Sequence, residues 1–334
     1  KGKCLAVSSG TAALRVALAS LGINKGDEVI TQAFTFVATT EAIIESGAIP
    51  LCTQIDQSLN MCPNSLENLI SNKTKAVIVV HMLGVPANLM EIKAICSKHN
   101  IPLIEDTAWG CGAKFEEKFL GTIGDIGCFS FDNAKTITTG EGGMIACSND
   151  ELFSKAMAWH DHGHENNPSL PRWEDSRASS GFNFRLSELQ GAVGLAQLKK
   201  LDFIISKQRE IYSRLKEITL GIDKNFKERH IYENSYISAD AFIFFTEDKD
   251  IAIKCREVLL AEGVSTKILP EAMTWHFAGF WDHMPELMHG MKSNNLLETF
   301  RPSYKILSKC VSLPINLMVD DQFFDAVEAA LKKV

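Results

Sequence analysis

The sequence lacks a long hydrophobic run and an excess of positive charge. No apolar stretch reaches the roughly 18 residues that a membrane-spanning helix needs, so we expect no membrane partner. The 34 lysines and arginines are outnumbered by 41 aspartates and glutamates, and the net charge is −7. An acidic chain has no electrostatic basis for binding nucleic acid, and we expect no such partner. Repeats of solenoid length and low-complexity tracts are also absent from the sequence.

Paired cysteines and recognisable metal clusters are also missing. The nine cysteines are odd in number, form no CxxC pair and mostly stand within apolar runs, which is typical of buried free thiols in a reducing cytoplasm. Asp161, His162, His164 and Glu165 stand close together, but no second ligand group is near them, so we expect no metal. No signal peptide is recognisable, and the first residue is Lys rather than Met. We therefore expect a cytoplasmic protein.

The chain is long enough for two domains. It has 334 residues, of which 46% are hydrophobic and 22% charged, as in ordinary globular proteins. Between Leu186 and Glu217, leucine and valine recur at three- and four-residue steps, which predicts one long helical stretch. We expect this stretch to connect a large domain, residues 1–203, to a smaller α+β domain, residues 204–334.

A short apolar run ends in a carboxylate at Asp106. The run IPLI, residues 101–104, suits a strand that is buried on both faces, as in a parallel sheet. In open α/β sheets, ligands bind beyond the carboxyl ends of the strands, where Asp106 would lie. Taken alone, this aspartate could equally cap the next segment or start a turn.

A lysine stands inside a polar, glycine-rich segment. Lys135 follows a second apolar run, IGCFSF (126–131), and precedes TITTGEGG. A lysine that forms a Schiff base must be deprotonated to attack, and burial favours the neutral amine. Most lysines are instead solvated surface charges, and GEGG could be an ordinary hairpin turn.

The first helical pattern begins at Ser9, Gly10 and Thr11, directly after a short strand. The start of a helix offers free N–H groups and the positive end of the helix dipole, which suits a phosphate. Serine and threonine at that position are also common as plain N-caps.

Together, the strings SGTAAL, EDTAW, SFDNAK and TTGEGG resemble the motifs of the DegT/DnrJ/EryC1/StrS family. These are sugar aminotransferases that depend on pyridoxal phosphate (PLP) and have an aspartate-aminotransferase-like (fold type I) fold. The resemblance implies an α/β large domain with a mixed, mostly parallel sheet. It also implies that Lys135 carries PLP as a Schiff base and that Asp106 faces the pyridine nitrogen. A carboxylate there keeps the nitrogen protonated, and the protonated ring is the electron sink. Lys135 argues against the dehydratases of the family, which have histidine there.

The resemblance extends to further cofactor contacts. It implies that Gly10, Thr11 and Ser130 bind the phosphate. Phe36 would lie on the cofactor face, although a core phenylalanine is the plainer alternative. Trp109 replaces the usual glutamine of the family and could pack against the ring or reshape the pocket.

The element GFNFR, residues 181–185, matches a family segment whose asparagine reaches the phosphate of a neighbouring subunit. Asn183 is therefore the candidate, and a homodimer with shared active sites is implied; a turn at a helix start is the alternative. His162 stands in an HG pair that the family also has, and it is a further candidate for substrate contact. Relatives usually have some tens of residues ahead of the first strand, and we expect that a segment shaping the interface and the pocket precedes this sequence.

The segment KILPEAMTWHFAGFWDHMPEL has little regular period and neighbours the sugar site in the family. Trp275, His276, Trp281 and His283 could contact substrate, or could form a locally packed loop. We expect transfer of an amino group from glutamate to a keto-sugar. The strings EDTAW and SFDNAKTITTGEGG, with the WHFAGFWDHMPEL loop, resemble the branch of the family that aminates 8-keto-3-deoxy-octulosonate to give 8-amino-Kdo for lipopolysaccharide. The alternatives are a nucleotide-linked 3- or 4-keto-6-deoxy sugar, or a non-catalytic relative that binds PLP.

Overall fold

A computed structural model describes residues 2–334. Within that range the chain forms three sheets, whose strands are β1 (Lys3–Val7), β2 (Glu28–Gln32), β3 (Ile49–Thr53), β4 (Thr74–Val80), β5 (Leu103–Asp106), β6 (Lys114–Phe115), β7 (Lys118–Phe119), β8 (Ile126–Ser130), β9 (Gly143–Cys147), β10 (Lys227–Glu228), β11 (Ser235–Tyr236), β12 (Ala241–Phe245) and β13 (Cys310–Pro314).

Twelve α-helices stand in the same range. They are α1 (Gly10–Ser20), α2 (Val37–Glu45), α3 (Pro63–Leu69), α4 (Leu89–Lys98), α5 (Asp150–Trp159), α6 (Glu188–Leu198), α7 (Leu201–Ile222), α8 (Lys249–Ala261), α9 (Pro285–Gly290), α10 (Leu296–Thr299), α11 (Arg301–Leu307) and α12 (Asp321–Leu331). Short 3₁₀ turns stand at 82–84, 273–275 and 278–280.

The main sheet has seven strands in the order β1-β9-β8-β5-β4-β2-β3. Neighbouring strands from β8 to β3 pair in parallel, and β9 runs antiparallel to both of its neighbours, β1 and β8. The sheet is therefore mixed and mostly parallel, as the sequence predicts. Its parallel strands β5 and β8 place their carboxyl ends at one edge, where ligands bind in such sheets.

Both faces of this sheet are covered by helices. Successive side chains of a strand point to opposite faces, so neighbouring residues join different apolar clusters. Val29 and Ile78 join an apolar cluster with α1 and α5. Their chain neighbours Ile30 and Val77 join a second cluster with α3 and α4. The near-continuous apolar runs of these strands are therefore explained by helices on both sides.

The C-terminal part of the chain has its own antiparallel sheet, β10-β12-β13, packed against α7, α8 and α12. A third small sheet, β11-β6-β7, joins residues of both parts. The predicted boundary between residues 203 and 204 falls within α7, so the division into 1–203 and 204–334 stays a prediction.

The prediction of one helical stretch from Leu186 to Glu217 is wrong in one respect. The structure has two helices, α6 and α7, with a break at Lys199 and Lys200. Helix α6 begins with a capping box, in which Ser187 and Gln190 exchange hydrogen bonds with each other's backbone, so its start is fixed locally. Among residues 2–334, no helix combines the length and the apolar character that a bilayer crossing requires. All nine cysteines are free.

Glu105, the neighbour of Asp106 on β5, is fully buried. Its carboxylate accepts hydrogen bonds from the backbone N–H groups of Gly121 (2.8 Å), Ile123 (2.7 Å) and Gly124 (2.6 Å), and it lies 3.1 Å from Nε2 of His81. Burial acts to raise the pKa of Glu105, but the hydrogen bonds from His81 and the loop outweigh it, and the pKa is lowered. The carboxylate thus holds the loop 121–124 against β5.

His81 is a buried histidine whose hydrogen-bonding groups are all satisfied within the fold. Its Nδ1 accepts a hydrogen bond from the N–H of Ala87 at 3.2 Å, so the proton of the neutral ring lies on Nε2, which donates to Glu105. Both ring nitrogens are therefore used inside the fold.

We predict that Glu105→Gln lowers the free energy of unfolding by about 2–4 kcal/mol at pH 7, because an amide NH₂ group would face backbone donors in a buried site. The urea midpoint measures this change. The matched control is Glu257→Gln, on the exposed side of α8, which should shift the midpoint by less than about 0.5 kcal/mol. Equal stability of the two variants would contradict the role given to Glu105.

Candidate active site

A pocket of about 410 Å³ opens at the carboxyl ends of β5 and β8, beside the start of α1. It brings together eight of the residues that the sequence singled out, namely Gly10, Thr11, Phe36, Asp106, Trp109, Ser130, Lys135 and His276. A larger groove of about 850 Å³ lies at the opposite ends of β2 and β4, beside Asp27 and Thr74, and contains none of these residues. The chemistry-bearing side chains therefore converge on the smaller pocket.

The start of α1 forms one wall of this pocket. Ser9 caps the helix, since its hydroxyl accepts from the N–H of Ala12 at 3.0 Å. Gly10 lies so close to β8 that a Cβ atom there would stand 2.7 Å from Cβ of Ser130. Only glycine lets the helix end approach the strand this closely, and the approach places helix N–H groups next to the Ser130 hydroxyl.

Asp106 is 5% exposed and lies at the floor of the pocket. Its carboxylate accepts hydrogen bonds from the hydroxyl of Thr39 (2.9 Å) and the N–H of Ala108 (3.1 Å). Burial raises its pKa, while these two hydrogen bonds and the charge of Lys135 act to lower it. A buried carboxylate with two neutral donors can still accept a charged partner from the pocket.

The side chain of Lys135 is 9% exposed. Its Nζ lies 3.3 Å from the ring centroid of Trp109 and 3.6 Å from Oδ2 of Asp132. Burial, the largest influence, lowers the pKa of Lys135; the carboxylates of Asp132, Asp240 and Asp106 act in the opposite direction. The amine is thus closer to its neutral, nucleophilic form than a surface lysine.

Phe36 and His276 lie on another side of the pocket, with ring centroids 5.5 Å apart. Phe36 is 41% exposed and is therefore not a core phenylalanine. Nδ1 of His276 lies 3.1 Å from the carbonyl oxygen of Ala272; a carbonyl only accepts, so Nδ1 carries the proton and Nε2 is an acceptor in the neutral ring. Burial lowers the pKa of His276, which favours that neutral ring.

Five predicted residues lie outside the pocket. Asn183, His162, Trp275 and His283 are all exposed, and Trp275 retains 63% of its accessible surface. By contrast, Trp281 is fully buried and donates from Nε1 to the carbonyl of Thr274, so it belongs to a packed loop. The roles given to Asn183, His162 and Trp275 stay predictions.

The segment that contains Asn183 is anchored by its neighbours. The guanidinium of Arg15, on α1, lies 5.6 Å from the ring centroid of Phe182 and 5.8 Å from that of Phe184. Because residues 182 and 184 of an extended segment share one face, Asn183 lies on the other. The carboxylate of Asp161, whose pKa Arg172 and Arg185 lower to about 2, binds both guanidinium groups beside this segment.

The sequence reasoning missed several polar residues of this region. Thr39, which donates to Asp106, is 67 positions away in the chain, and no local pattern links the two. Lys267 pairs with the buried Asp240 at 2.7 Å, and its Nζ lies 5.2 Å from the ring centroid of Trp109. Asp132 was detectable, because it stands three residues before Lys135.

Comparison with known proteins identifies the family. The family model described as the DegT/DnrJ/EryC1/StrS aminotransferase family matches residues 1–332. This chain belongs to that family. The family prediction and its PLP cofactor are thereby confirmed.

Two relatives and one solved structure illustrate the similarity. The chain is 40% identical over 206 residues to a GDP-perosamine synthase of Escherichia coli O157:H7, covering 61% of this chain and 55% of that one. It is 34% identical over 259 residues to a GDP-perosamine synthase of Vibrio cholerae, covering 73% and 69%. An aminotransferase structure from Psychrobacter cryohalolentis superposes with a TM-score of 0.87 at 24% identity, covering 99% of this chain and 86% of that one, and shows the fold.

The residues of this aminotransferase-family pocket fit PLP. The close packing at Gly10 presents the N–H groups at the start of α1 to an anion, beside the Ser130 hydroxyl, which in this structure donates to Asp132 at 3.3 Å. Asp106 offers a buried carboxylate that accepts from two neutral donors, and Lys135 offers an amine whose pKa is lowered by burial in the same cavity. The volume lies within the range of ordinary cofactor and ligand sites.

We predict that Gly10→Ala weakens PLP binding at least about tenfold, because the added methyl group must push α1 away from Ser130. Spectrophotometric titration of the cofactor-free protein with PLP measures the affinity. Gly221→Ala is the matched control, because a Cβ at that helical position meets nothing within 4 Å. Unchanged affinity in a folded Gly10→Ala protein would contradict the anion site.

Proposed function

We propose that this protein is a PLP-dependent aminotransferase that transfers an amino group from glutamate to a keto-sugar. The observation that carries the proposal is the convergence of a buried amine, Lys135, and a buried carboxylate, Asp106, on one pocket that begins at a helix N-terminus. When bound, PLP supplies an electron sink for the bonds at the carbon of the amino donor.

Lys135 is proposed to attach the cofactor through Nζ, and then to accept and return the proton that transamination moves. Its burial supports this role, because burial lowers the pKa of the amine and so favours the neutral form. Asp106 is proposed to hold the ring nitrogen in its protonated form. The Thr39 and Ala108 hydrogen bonds support that role by fixing the orientation of the carboxylate.

The remaining contacts are proposed from the lining of the pocket. The N–H groups of Gly10 and Thr11 and the hydroxyl of Ser130 would bind the phosphate. Phe36 and Trp109 would hold the ring between them. His276, with Nε2 as an acceptor, would bind a substrate hydroxyl; His162 and Trp275 stay outer candidates for substrate contact.

A nucleotide-linked keto-sugar is the first acceptor that we propose, supported by the names of the two relatives, which specify a GDP-linked product. The second candidate is 8-keto-3-deoxy-octulosonate. It is proposed from the resemblance of EDTAW, SFDNAK and the WHFAGFWDHMPEL loop to the branch of the family that forms 8-amino-Kdo. Cytoplasmic action is proposed on the support of nine free cysteines.

The homodimer with shared sites is proposed from two exposed features. Asn183 points away from the aromatic anchor of its own segment, and α6 buries none of its residues within the chain. Leu189, Leu195 and Leu198 of α6 retain 82%, 69% and 55% of their accessible surface. An apolar helix of this kind is typical of a subunit interface.

The first prediction from this function concerns the attachment site. Borohydride reduction of the PLP-loaded protein should fix the cofactor mass on the peptide that contains Lys135, and Lys135→Ala should lose both this mass and turnover. Lys155→Ala, an exposed lysine of α5, is the control and should keep both. Cofactor mass on another lysine would overturn the assignment.

The same preparations test the substrate. Glutamate should react with the PLP-loaded protein and give up its amino group to it. Incubation with nucleotide-linked 3- and 4-keto-6-deoxy sugars or with 8-keto-3-deoxy-octulosonate should then yield an amino sugar from one of these two classes of acceptor. A loaded protein that does not react with glutamate would instead identify a non-catalytic PLP-binding relative.

A second prediction tests the shared site. Lys135→Ala and Asn183→Asp homodimers should both be nearly inactive, because one loses the amine and the other sets a carboxylate against the phosphate. After mixed refolding, hybrid dimers should contain one intact site each, which restores about a quarter of wild-type activity for random pairing.

The control for this experiment combines Lys135→Ala with Asp106→Asn. These two residues line the pocket of the same chain, so their hybrid dimers should regain no activity. Recovery equal to that control would show that Asn183 acts within its own subunit. A fully active Asn183→Asp homodimer would show that Asn183 has no role at the phosphate.

A further inference from the structure

Asp132 occupies a position next to Lys135 that the proposed function does not use. Its Oδ2 lies 3.6 Å from Nζ of Lys135 and accepts a hydrogen bond from the Ser130 hydroxyl at 3.3 Å. Its Oδ1 accepts from the N–H of Ala134 at 2.7 Å, and the N–H of Lys135 donates to its carbonyl at 3.2 Å. The carboxylate is therefore fixed by its own turn, with one oxygen directed toward the amine.

The amine has a second partner in the ring of Trp109, whose centroid lies 3.3 Å from Nζ. The face of an indole ring attracts a cation, and the attraction grows when the cation is desolvated. The side chain of Lys135 is only 9% exposed, so a charged amine here depends on such partners. Asp132 and Trp109 together surround the free amine with a negative charge and a π face.

We propose that Asp132, together with the Trp109 ring, is a holding site for the protonated amine of Lys135 whenever that amine is not attached to the cofactor. The inference rests on the proposed role of Lys135. A transaminase frees its lysine in the half of its cycle in which the amino group resides on the cofactor. Asp132 then acts as a positioning residue that keeps Nζ within the pocket, ready for renewed attachment.

Other charged groups near this amine are fixed by the same fold. Asp106 and Asp240 add negative charge, and Lys267 adds positive charge, at Lys135. Burial and the charge of Lys135 both act to lower the pKa of His276, which favours the neutral ring. Asp106 bonds to Thr39 and Asp240 pairs with Lys267. Asp132 is the carboxylate that forms an ion pair with Lys135.

The variant Asp132→Asn separates a holding role from a structural one. An asparagine oxygen can still accept from the N–H of Ala134, so the turn is retained while the charge is lost. The reactivity of Lys135 in the cofactor-free protein is measured with limiting isotope-coded acetic anhydride, by mass spectrometry, at several pH values. An exposed lysine of the same molecule, Lys254, serves as the internal standard.

If Asp132 holds the protonated amine, Asp132→Asn should label Lys135 about two- to fivefold faster at pH 7, as expected for a partly exposed ion pair. The pH profile of labelling should also move to lower pH, because the neutral amine becomes more populated. Asp132→Ser, which keeps a side-chain acceptor for the turn, should give the same change. Asp325→Asn, on the exposed side of α12, is the charge control and should match the wild type.

A labelling rate and pH profile equal to the wild type in both Asp132 variants would overturn the proposal. A change equal to that of Asp325→Asn would do the same. Failure of the proposed function is seen separately, because borohydride would then place the cofactor on a residue other than Lys135. The labelling experiment uses protein without cofactor and is independent of turnover.

Discussion

The candidate site depends on a helix start that is pressed against the end of a strand with no side chain between them. A Cβ at Gly10 would stand 2.7 Å from Ser130, so the wall of the pocket exists only because position 10 has no side chain. The contact brings helix N–H groups and a strand hydroxyl together on one wall of the pocket, a combination that suits an anion. Asp106, at the end of the neighbouring strand β5, and Lys135, in the loop after β8, line the same pocket.

Two neighbouring carboxylates on β5, those of Glu105 and Asp106, have different surroundings. Glu105 is saturated by three backbone N–H groups and His81, and it ties the loop 121–124 to the sheet. Asp106 points to the opposite side of the strand, has only two neutral donors, and keeps capacity for a charged partner. Successive side chains of a strand point to opposite faces. Glu105 therefore faces the loop and Asp106 faces the pocket, although the two residues are adjacent in the chain.

The protonation of the Lys135 amine is subject to opposing influences. Burial favours its neutral form, while the nearby carboxylates and the Trp109 ring favour its charged form. A group that must be a nucleophile at one moment and a cation at another benefits from such opposing influences. Trp109, which stands where the family usually has glutamine, is therefore part of the surroundings of the lysine amine.

The motifs alone indicated the family, the mixed sheet and the residues that meet at the pocket, because each motif is a local feature: a helix start, a strand end and a glycine-rich turn. They also indicated an apolar period from Leu186 onward, but not that α6 would remain uncovered within the chain. Periodicity reports an apolar face and cannot report what covers it.

Only the tertiary structure decided which side chains reach Asp106 and Lys135. Thr39 meets Asp106 across 67 positions, and Lys267 approaches Trp109 from the C-terminal part of the chain. Such contacts are set by how the strands are ordered and how the helices pack on them. The sequence by itself determined the chemical groups of the site, whereas their hydrogen bonds and charges followed from packing between segments that are far apart in the chain.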